Sequence, residues 1–200
     1  MDGDRAPSDL DDGGIQTHFA SPQRSAGEQL HDEVSRIERS PIVDALLTAA
    51  DGMLAVLNAH RQVVALNPRL LTMLGVEEPW DVLGLRPGEA VGCDHARDNP
   101  GGGCGTGRMC ASCGAAVAIV SALESDEPAE RLCCIQTDSP GADGDLYLSV
   151  RAHPIDWEDQ SWVLLFLRDV SDQQKLTLLQ RVFFHDIGNT ITALVGTSFR

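Results

Sequence analysis

Four of the six cysteines in this 200-residue chain, Cys93, Cys104, Cys110 and Cys113, lie within a stretch of 21 residues that is rich in glycine. A run of this composition favours neither a helix nor a strand, so the fold has to be built around an irregular loop, here called the cysteine loop (residues 93–113). The acidic N-terminus, MDGDRAPSDLDDGG, is not typical of a secretion signal. We therefore expect a cytoplasmic protein with reduced thiols, which in a cluster are more often metal ligands than disulfide partners.

The spacing of these cysteines, C-x10-C-x5-C-x2-C, favours an iron–sulfur cluster. Clusters tolerate irregular spacing around one C-x2-C pair because they bridge distant sulfurs, and we expect a 4Fe-4S rather than a 2Fe-2S cluster. Zinc is the alternative, although structural zinc sites usually show two such pairs and only Cys110 and Cys113 form one here. A redox-active pair formed by Cys110 and Cys113 also stays open. A c-type haem is excluded because Gly114, not histidine, follows Cys113.

Two features of the cysteine loop favour anionic thiolates. Glycines at 101–103, 105 and 107 let the backbone wrap closely and point its N–H groups at sulfur. Cys113 lies at the start of a predicted helix over residues 112–124, whose positive end favours a thiolate. The sequence therefore predicts Cys93, Cys104, Cys110 and Cys113 as the cofactor and metal ligands.

Three other residues could take part in the site. His95 follows Cys93 by two residues and could replace a thiolate, although a loop histidine is more often a hydrogen-bond donor to a ligand or simply solvated. Cys133 and Cys134 are adjacent in a predicted strand, so their side chains point to opposite faces. At least one of them is expected to be a small core residue, but a ligand from the sheet stays open.

Charge and hydropathy limit the possible functions. A formal charge of −15 argues against nucleic-acid binding, which needs a basic face. No stretch approaches the roughly 18 uninterrupted apolar residues of a membrane span, so we expect no membrane partner. A hydrophobic fraction of 42% with 4% aromatic residues predicts one core of Leu, Val, Ile and Ala. No nucleophile elbow, phosphate loop or carboxylate pair indicates a hydrolase or oxidoreductase.

Hydrophobic patterning predicts an α+β domain between a polar tail and a final helix. Residues 1–27 are rich in Asp, Gly, Ser and Pro and are expected to form a disordered acidic tail. Residues 28–50 carry an apolar helical stripe that either packs on the domain or leads into a dimer. Residues 51–170 form the domain, in which one long helix covers 112–124 and the predicted strands are 53–58, 63–66, 131–137, 145–152 and 161–167.

Residues 171–200 are predicted to begin a dimerisation helix. Ser171 followed three residues later by Gln174 is typical of a capping box. No C-terminal cap signal precedes Arg200, so we expect this helix to continue in a longer protein. Apolar residues recur at spacings of three and four, which is typical of a coiled coil or four-helix bundle and predicts a homodimer. They are Leu176, Leu179, Phe183, Ile187, Ile191 and Leu194.

Residues 40–170 resemble a PAS domain in the order of their predicted elements and in three motifs. These are LNP at 66–68, LG at 74–75 and LRDVSDQQ at 167–174, the last similar to the junction of a PAS domain with a coiled coil in bacterial signalling proteins. The resemblance implies a five-stranded antiparallel sheet with flanking helices. It also implies that the cysteine loop occupies the place where PAS domains usually hold a ligand.

The segment RVFFHDIGNTITALVG at 181–196 resembles the H-box of sensor histidine kinases. The resemblance implies that His185 accepts phosphate, that Asp186 orients its imidazole and that Asn189 places a water for dephosphorylation. It implies a response regulator as partner and an ATP-binding kinase domain, which the 200 residues lack. His185 lies about 200° around the helix from Phe183, so it faces away from the apolar seam. The alternative is a surface histidine without chemistry.

Together these features predict the cytosolic sensor region of a two-component histidine kinase. An iron–sulfur cluster in the PAS domain would sense redox state, oxygen or nitric oxide and relay it to His185. The alternatives are a PAS interaction module stabilised by zinc and a thiol–disulfide redox switch.

Overall fold

The computed structural model describes residues 17–99, 101–135, 146–177 and 179–181. The strands are β1 (Met53–Leu57), β2 (Val63–Leu66), β3 (Ala129–Ile135), β4 (Leu146–Trp157) and β5 (Gln160–Asp169). The helices are α1 (Glu28–Glu38), α2 (Pro41–Ala49), α3 (Pro68–Leu74), α4 (Pro87–Ala90), α5 (Asp94–Arg97) and α6 (Gly114–Ser125). Two 3-10 turns cover Pro79–Asp81 and Arg108–Ser112, and residues 171–177 and 179–181 are helical.

The strands form one antiparallel sheet in the order β2-β1-β5-β4-β3. β5 lies in the centre of the sheet, as its continuous apolar run WVLLFL indicates. It pairs with β1 through Leu164 and Val56, and with β4 through Leu167 and Val150. Helices α3–α6 and the cysteine loop connect β2 to β3, the two edge strands. The predicted PAS-like sheet with flanking helices is therefore confirmed.

One face of the sheet packs against α6 and holds the main core. Alternate residues of β4, Leu148, Val150 and Ala152, are buried together with Ile119 of α6, as the period of two in the sequence predicts. At about 25 cal/mol for each Å² of apolar surface removed from water, this burial is the main favourable contribution to folding. The same face forms the inner wall of the site described below.

The opposite face is covered by α1 and α2. Val34 and Ile37 of α1 pack with Val56, Val64 and Trp162 of the sheet. The apolar stripe of residues 28–50 therefore packs on its own domain, the first of the two possibilities left by the sequence. The stripe is divided between two helices because Ser40 caps α2, where its hydroxyl accepts a hydrogen bond from the Val43 N–H at 3.4 Å and Pro41 occupies the first helical position.

The segment before α1 differs from the prediction of a disordered tail through residue 27. Residues 17–27, here called the N-terminal segment, lie against the cysteine loop. The N–H groups of His18 and Ala20 donate to the carbonyl oxygens of Thr106 and Gly105 at 2.8 and 3.0 Å. Ser25 is buried, and its N–H donates to Gln62 at 2.7 Å. Polar composition was misleading here because the segment is held by polar contacts with residues distant in the sequence, which no local pattern reveals.

The exit from the sheet also differs from the prediction. The Ser171 hydroxyl accepts a hydrogen bond from the Tyr147 N–H of β4 at 3.0 Å, and the Ser171 N–H donates to Asp169 at 2.8 Å. Ser171 is itself the first helical residue, so the predicted capping box with Gln174 is wrong. The hydroxyl instead ties the end of β5 to β4.

Among the residues described, no helix is long and apolar enough to cross a membrane.

Candidate metal centre

Short elements hold the four loop cysteines in place. Cys93 lies between α4 and α5, and Cys104 lies in a glycine-rich turn. Cys110 belongs to the 3-10 turn Arg108–Ser112, and Cys113 caps the N-terminus of α6. The loop therefore folds as a series of single turns, each of which contains a cysteine or is flanked by one.

All four side chains line one cavity of about 160 Å³ between the loop and the main core. A water molecule needs roughly 10–15 Å³ measured in this way, so the cavity has room for a group much larger than one water. His95, Cys133 and Cys134 also line this cavity, here called the cysteine cavity. Its inner wall is the apolar sheet face, including Val150 and Leu165. The structure thus brings the four predicted ligands to one site although they span 21 residues of sequence.

Backbone N–H groups point at the sulfurs of Cys93, Cys104 and Cys113, but these donors come from outside the glycines at 101–107 that the sequence indicated. Burial raises the pKa of the Cys93 thiol, although hydrogen bonds from the N–H groups of Ala96 and His95 offset part of this rise. Burial also raises the pKa of Cys104, to about 12, although a hydrogen bond from the Gly88 N–H acts in the opposite direction. A Cβ on Gly88 would fall 2.6 Å from the Cys104 sulfur, so only glycine permits this approach. These donors can stabilise thiolates bound to a cationic centre.

The fifth and sixth cysteines behave differently from each other. Cys133 is buried and Cys134 is exposed, which confirms that the two side chains point to opposite faces. The Cys133 sulfur lies 3.6 Å from the Cys113 sulfur. A hydrogen bond from Cys133 lowers the pKa of the Cys113 thiol, and N–H groups of Ala116 and Ala115 at the start of α6 lower it further. The same hydrogen bond raises the pKa of Cys133.

Gly114 explains this sulfur contact. It occupies the first position of α6, where a Cβ would fall 2.0 Å from the Leu132 carbonyl oxygen of β3. Any larger residue would force α6 away from the edge strand. The neighbouring positions 113 and 133 are therefore held together by backbone packing.

Among the described residues, no group of three His, Cys, Asp or Glu side chains is arranged to hold one metal ion. All six cysteines are free thiols. The four loop cysteines line the walls of one cavity.

Two buried arginines, which the sequence analysis did not predict, line the cavity beside the cysteines. Arg86 is fully buried, and its guanidinium donates to five backbone carbonyls at 2.6–3.3 Å. These carbonyls belong to the turn between β1 and β2, the N-terminal segment and the cysteine loop: His60, Ser21, Gln23, Gly102 and Cys104. Burial and, to a smaller extent, the neighbouring charge of Arg61 lower the pKa of Arg86 to about 9. Arg86 still carries its charge at neutral pH.

Glu89 connects these groups at the edge of the cavity. Its carboxylate accepts hydrogen bonds from the N–H groups of Arg86 and Cys104, both at 3.0 Å, and forms an ion pair with Arg24 of the N-terminal segment. Burial raises the pKa of Glu89, but the hydrogen bonds from Arg24, Arg86 and Cys104 outweigh burial and hold the pKa below its usual value. The ionised carboxylate therefore stabilises the folded loop.

We expect Glu89→Gln to destabilise the protein by about 2 kcal/mol at neutral pH, because hydrogen bonds to a charged group are lost. Since the folded pKa is depressed, this contribution is present above the unfolded value of about 4.3 and disappears as the pH falls through the folded value. Urea unfolding of both forms at several pH values measures the difference. Glu130→Gln is the control, because its ion pair with Arg151 is exposed and should matter less. A difference independent of pH would contradict a role for the charge.

The other predicted site residues lie outside the described residues. His185, Asp186 and Asn189 belong to the segment 182–200, so their roles stay predictions. Leu176 and Leu179 of the predicted seam are described, and both side chains are exposed. Of the residues that the analysis missed, Gly88 and Glu89 lie in the motif RPGEA, where a proline and an acidic residue at the start of a short helix are a recognisable signal.

Neither a family model nor a curated protein sequence matches the chain. Among solved structures, it is similar to the PAS domain of an HTR-like protein from Haloarcula marismortui, with 21% identity, coverage of 70% of this chain and 98% of that one, and a TM-score of 0.43. It is also similar to the PAS domain of nitrogen regulation protein NR(II) from Vibrio parahaemolyticus, with 14% identity, coverage of 65% and 99%, and a TM-score of 0.45. A LOV protein from Rhodobacter sphaeroides matches with 14% identity, coverage of 73% and 69%, and a TM-score of 0.45. Since all three scores are below 0.5, the fold class rests on the sheet order given above.

Proposed function

We propose that this chain is the sensor region of a histidine kinase, in which a PAS-like domain binds an iron–sulfur cluster through Cys93, Cys104, Cys110 and Cys113. The observation that carries the proposal is the common cavity that these four side chains line. When bound, the cluster supplies a centre that changes its charge on reduction and decomposes with oxygen or nitric oxide. The protein would be cytoplasmic, with a response regulator as the partner of the complete kinase.

The placement of the thiols favours a 4Fe-4S cluster over zinc. Four thiolates on one zinc ion, each at about 2.3 Å from the metal, lie within about 3.8 Å of one another. The Cys113 sulfur has a neighbour at such a distance, 3.6 Å, but this is the sulfur of Cys133, which is not one of the four proposed ligands. A cluster receives each thiolate on a different iron, so its ligands stay further apart. Four cysteines on the walls of one cavity suit ligands that bind different irons of the same cluster.

The buried positive charge supports the same proposal. A cluster bound by four thiolates is anionic, and an anion in an apolar cavity needs nearby cations or N–H donors. Arg61 and Arg86 line the cavity, and N–H groups of Gly88, Ala115 and Ala116 point at cysteine sulfurs. These cations and N–H donors would replace the stabilisation that water gives to an anion in solution.

A route from the cavity to the final helix supports a sensory role. α6 begins at Cys113 and packs against β3, β4 and β5. β5 ends at the junction where Ser171 bonds to Asp169 and to Tyr147 of β4. A change in the cavity would shift α6 against the sheet and so change the conformational equilibrium of this junction. A coupling free energy of about 1–3 kcal/mol is sufficient for such an effect. The exposed Leu176 and Leu179 suit a helix that pairs with a second copy and presents His185.

Purification of the full chain without oxygen tests the proposal. We expect about four iron and four sulfide per chain, with a broad visible absorption that fades in air. Colourless protein with one tightly bound zinc ion would contradict the cluster and favour the interaction module. Protein without metal, whose mass falls by two hydrogens on oxidation, would favour the thiol switch.

The contact between Cys113 and Cys133 gives the thiol switch a specific form. The sequence predicted Cys110 and Cys113 as the pair, whereas the structure places the Cys113 sulfur 3.6 Å from that of Cys133. With a hydroperoxide as oxidant, the two thiols would form a disulfide while the peroxide is reduced to an alcohol and water. The disulfide would link the start of α6 to β3, and peptide mapping after oxidation would identify the pair.

A further inference from the structure

Arg61 has a buried donor that its surroundings leave without a partner. It lies in the turn between β1 and β2 with a positive φ of 66°, a conformation that is uncommon for a residue with a side chain. The residue is 7% exposed, and one terminal nitrogen, Nη2, donates to the Ser21 carbonyl at 2.6 Å. Its Nε atom is buried and has no hydrogen-bond partner among the described residues. A buried charged donor without an acceptor is unfavourable and therefore requires an explanation.

The unpaired donor belongs to the cysteine cavity. Arg61 lines this cavity, and a Cβ on Gly105 would lie 3.1 Å from its Nε atom, which places the guanidinium next to the turn that carries Cys104. Burial lowers the pKa of Arg61, and the charges of Cys104 and Cys110 act in the opposite direction. The guanidinium is therefore close enough to the cysteines to respond to negative charge in the cavity.

Arg86, in contrast, has no unused guanidinium nitrogen. Its three guanidinium nitrogens all donate to backbone carbonyls, including those of Gly102 and Cys104. Its charge contributes to the field in the cavity, but its donors are used to hold the loop. Of the two arginines, only Arg61 offers an unused donor.

We propose that Arg61 is the charge-compensating residue of the cysteine cavity, where its Nε–H donates to the anionic inorganic centre that the loop cysteines hold. The inference rests on the proposed function and extends it, because it assigns a residue that sets the reduction potential of the site. One-electron reduction by an external reductant adds one negative charge to the cavity. A fixed positive charge at Arg61 stabilises that reduced form relative to the oxidised one.

Redox titration of the full chain, prepared without oxygen and followed by its visible absorption, tests this role. We expect Arg61→Gln to shift the midpoint potential to a more negative value than that of the wild type. Arg61→Lys keeps the charge but moves the donor, so its potential should lie between the two. Arg108→Gln is the matched control, because it removes one positive charge from an exposed position of the same loop, where solvent screens it. Iron and sulfide content is measured for every variant.

The outcomes separate this inference from the proposed function. A wild-type protein without iron and sulfide would overturn both. A wild type that holds the cluster, with the same midpoint potential in Arg61→Gln as in Arg108→Gln, would overturn the inference alone. If Arg61→Gln does not fold, the midpoint potential of Arg61→Lys tests the inference instead. A potential shifted from that of the wild type supports the role, and an unchanged potential contradicts it.

Discussion

Replacement of any one of Cys93, Cys104, Cys110 and Cys113 by serine is expected to remove most of the bound iron and sulfide. A cluster needs a thiolate on each iron, and a serine hydroxyl stays protonated at neutral pH and binds iron poorly. The four thiols line one cavity, so the loss of any one leaves an iron exposed to solvent or to another ligand. Iron, sulfide and visible absorption per chain, measured after purification without oxygen, give the result directly.

Cys134→Ser and Cys133→Ser are the matched controls for this series. Cys134 is exposed on the edge strand β3, and Cys133 is buried beside Cys113. Both variants change one sulfur to oxygen and should retain the iron and sulfide of the wild type. If Cys133→Ser lost its iron while one of the four loop variants kept it, the sheet would supply a ligand and the proposed set would be wrong. If all six variants kept full metal content, the thiols would not be the ligands.

Circular dichroism separates loss of the centre from loss of the fold. The main core of the sheet and α6 does not depend on a metal, so each serine variant should keep its secondary structure. The loop is different, because its short turns bury few apolar side chains. We expect the loop to become more susceptible to proteolysis in the variants that lose iron, while α6 and the sheet stay protected.

The regular parts of the fold could be predicted from the sequence because they are local. The alternation of Leu146, Leu148, Val150 and Ala152 indicated a half-buried strand, and the structure buries the last three of these side chains against α6. The apolar run in β5 indicated its central place in the sheet. In both cases the signal is the hydrophobic pattern of one segment, and the structure buries most of the side chains that this pattern marks as apolar.

The candidate site could be predicted only in part. The cysteines are visible in the sequence because thiols are rare and their chemistry is specific. The cation Arg61 was not visible, since an arginine in a turn is usually solvated and nothing in the sequence shows that it is buried. The role of the N-terminal segment was missed for the same reason, because most of its contacts are made by backbone groups, among them the carbonyls of Ser21 and Gln23. Long-range contacts between polar groups leave no periodic signal.

Arg86→Met is expected to have the largest effect on stability of any substitution at the edge of the site. Arg86 is 0% exposed, and its guanidinium joins the N-terminal segment, the turn at His60 and the cysteine loop through five carbonyls. Methionine fills much of the same volume but donates no hydrogen bond. Each buried carbonyl left without a donor costs about 1–3 kcal/mol, so a loss of at least about 3 kcal/mol follows even if water reaches some of them.

The opposing effect is the relief of a buried charge. Burial lowers the pKa of Arg86 to about 9, so the folded protein does hold the cation at a cost. Removing a buried ion together with its partners can be neutral or stabilising, but removing the ion alone leaves its partners unsatisfied. The five carbonyls belong to backbone that a side-chain substitution cannot remove. The unsatisfied carbonyls should therefore outweigh the relief of the charge.

Urea unfolding of Arg86→Met against Arg151→Met measures this difference. Arg151 forms an exposed ion pair with Glu130, so its replacement should cost less than about 1 kcal/mol. Arg86→Lys should recover part of the loss, because an ammonium group keeps the charge but cannot span carbonyls from three separate segments. Proteolysis should cut the N-terminal segment of Arg86→Met before the sheet, since Gln23 loses its donor and Ser21 keeps only the bond from Arg61. Equal urea concentrations at the midpoint of unfolding for Arg86→Met and Arg151→Met would contradict this prediction. They would show that backbone contacts of the loop hold this region without Arg86.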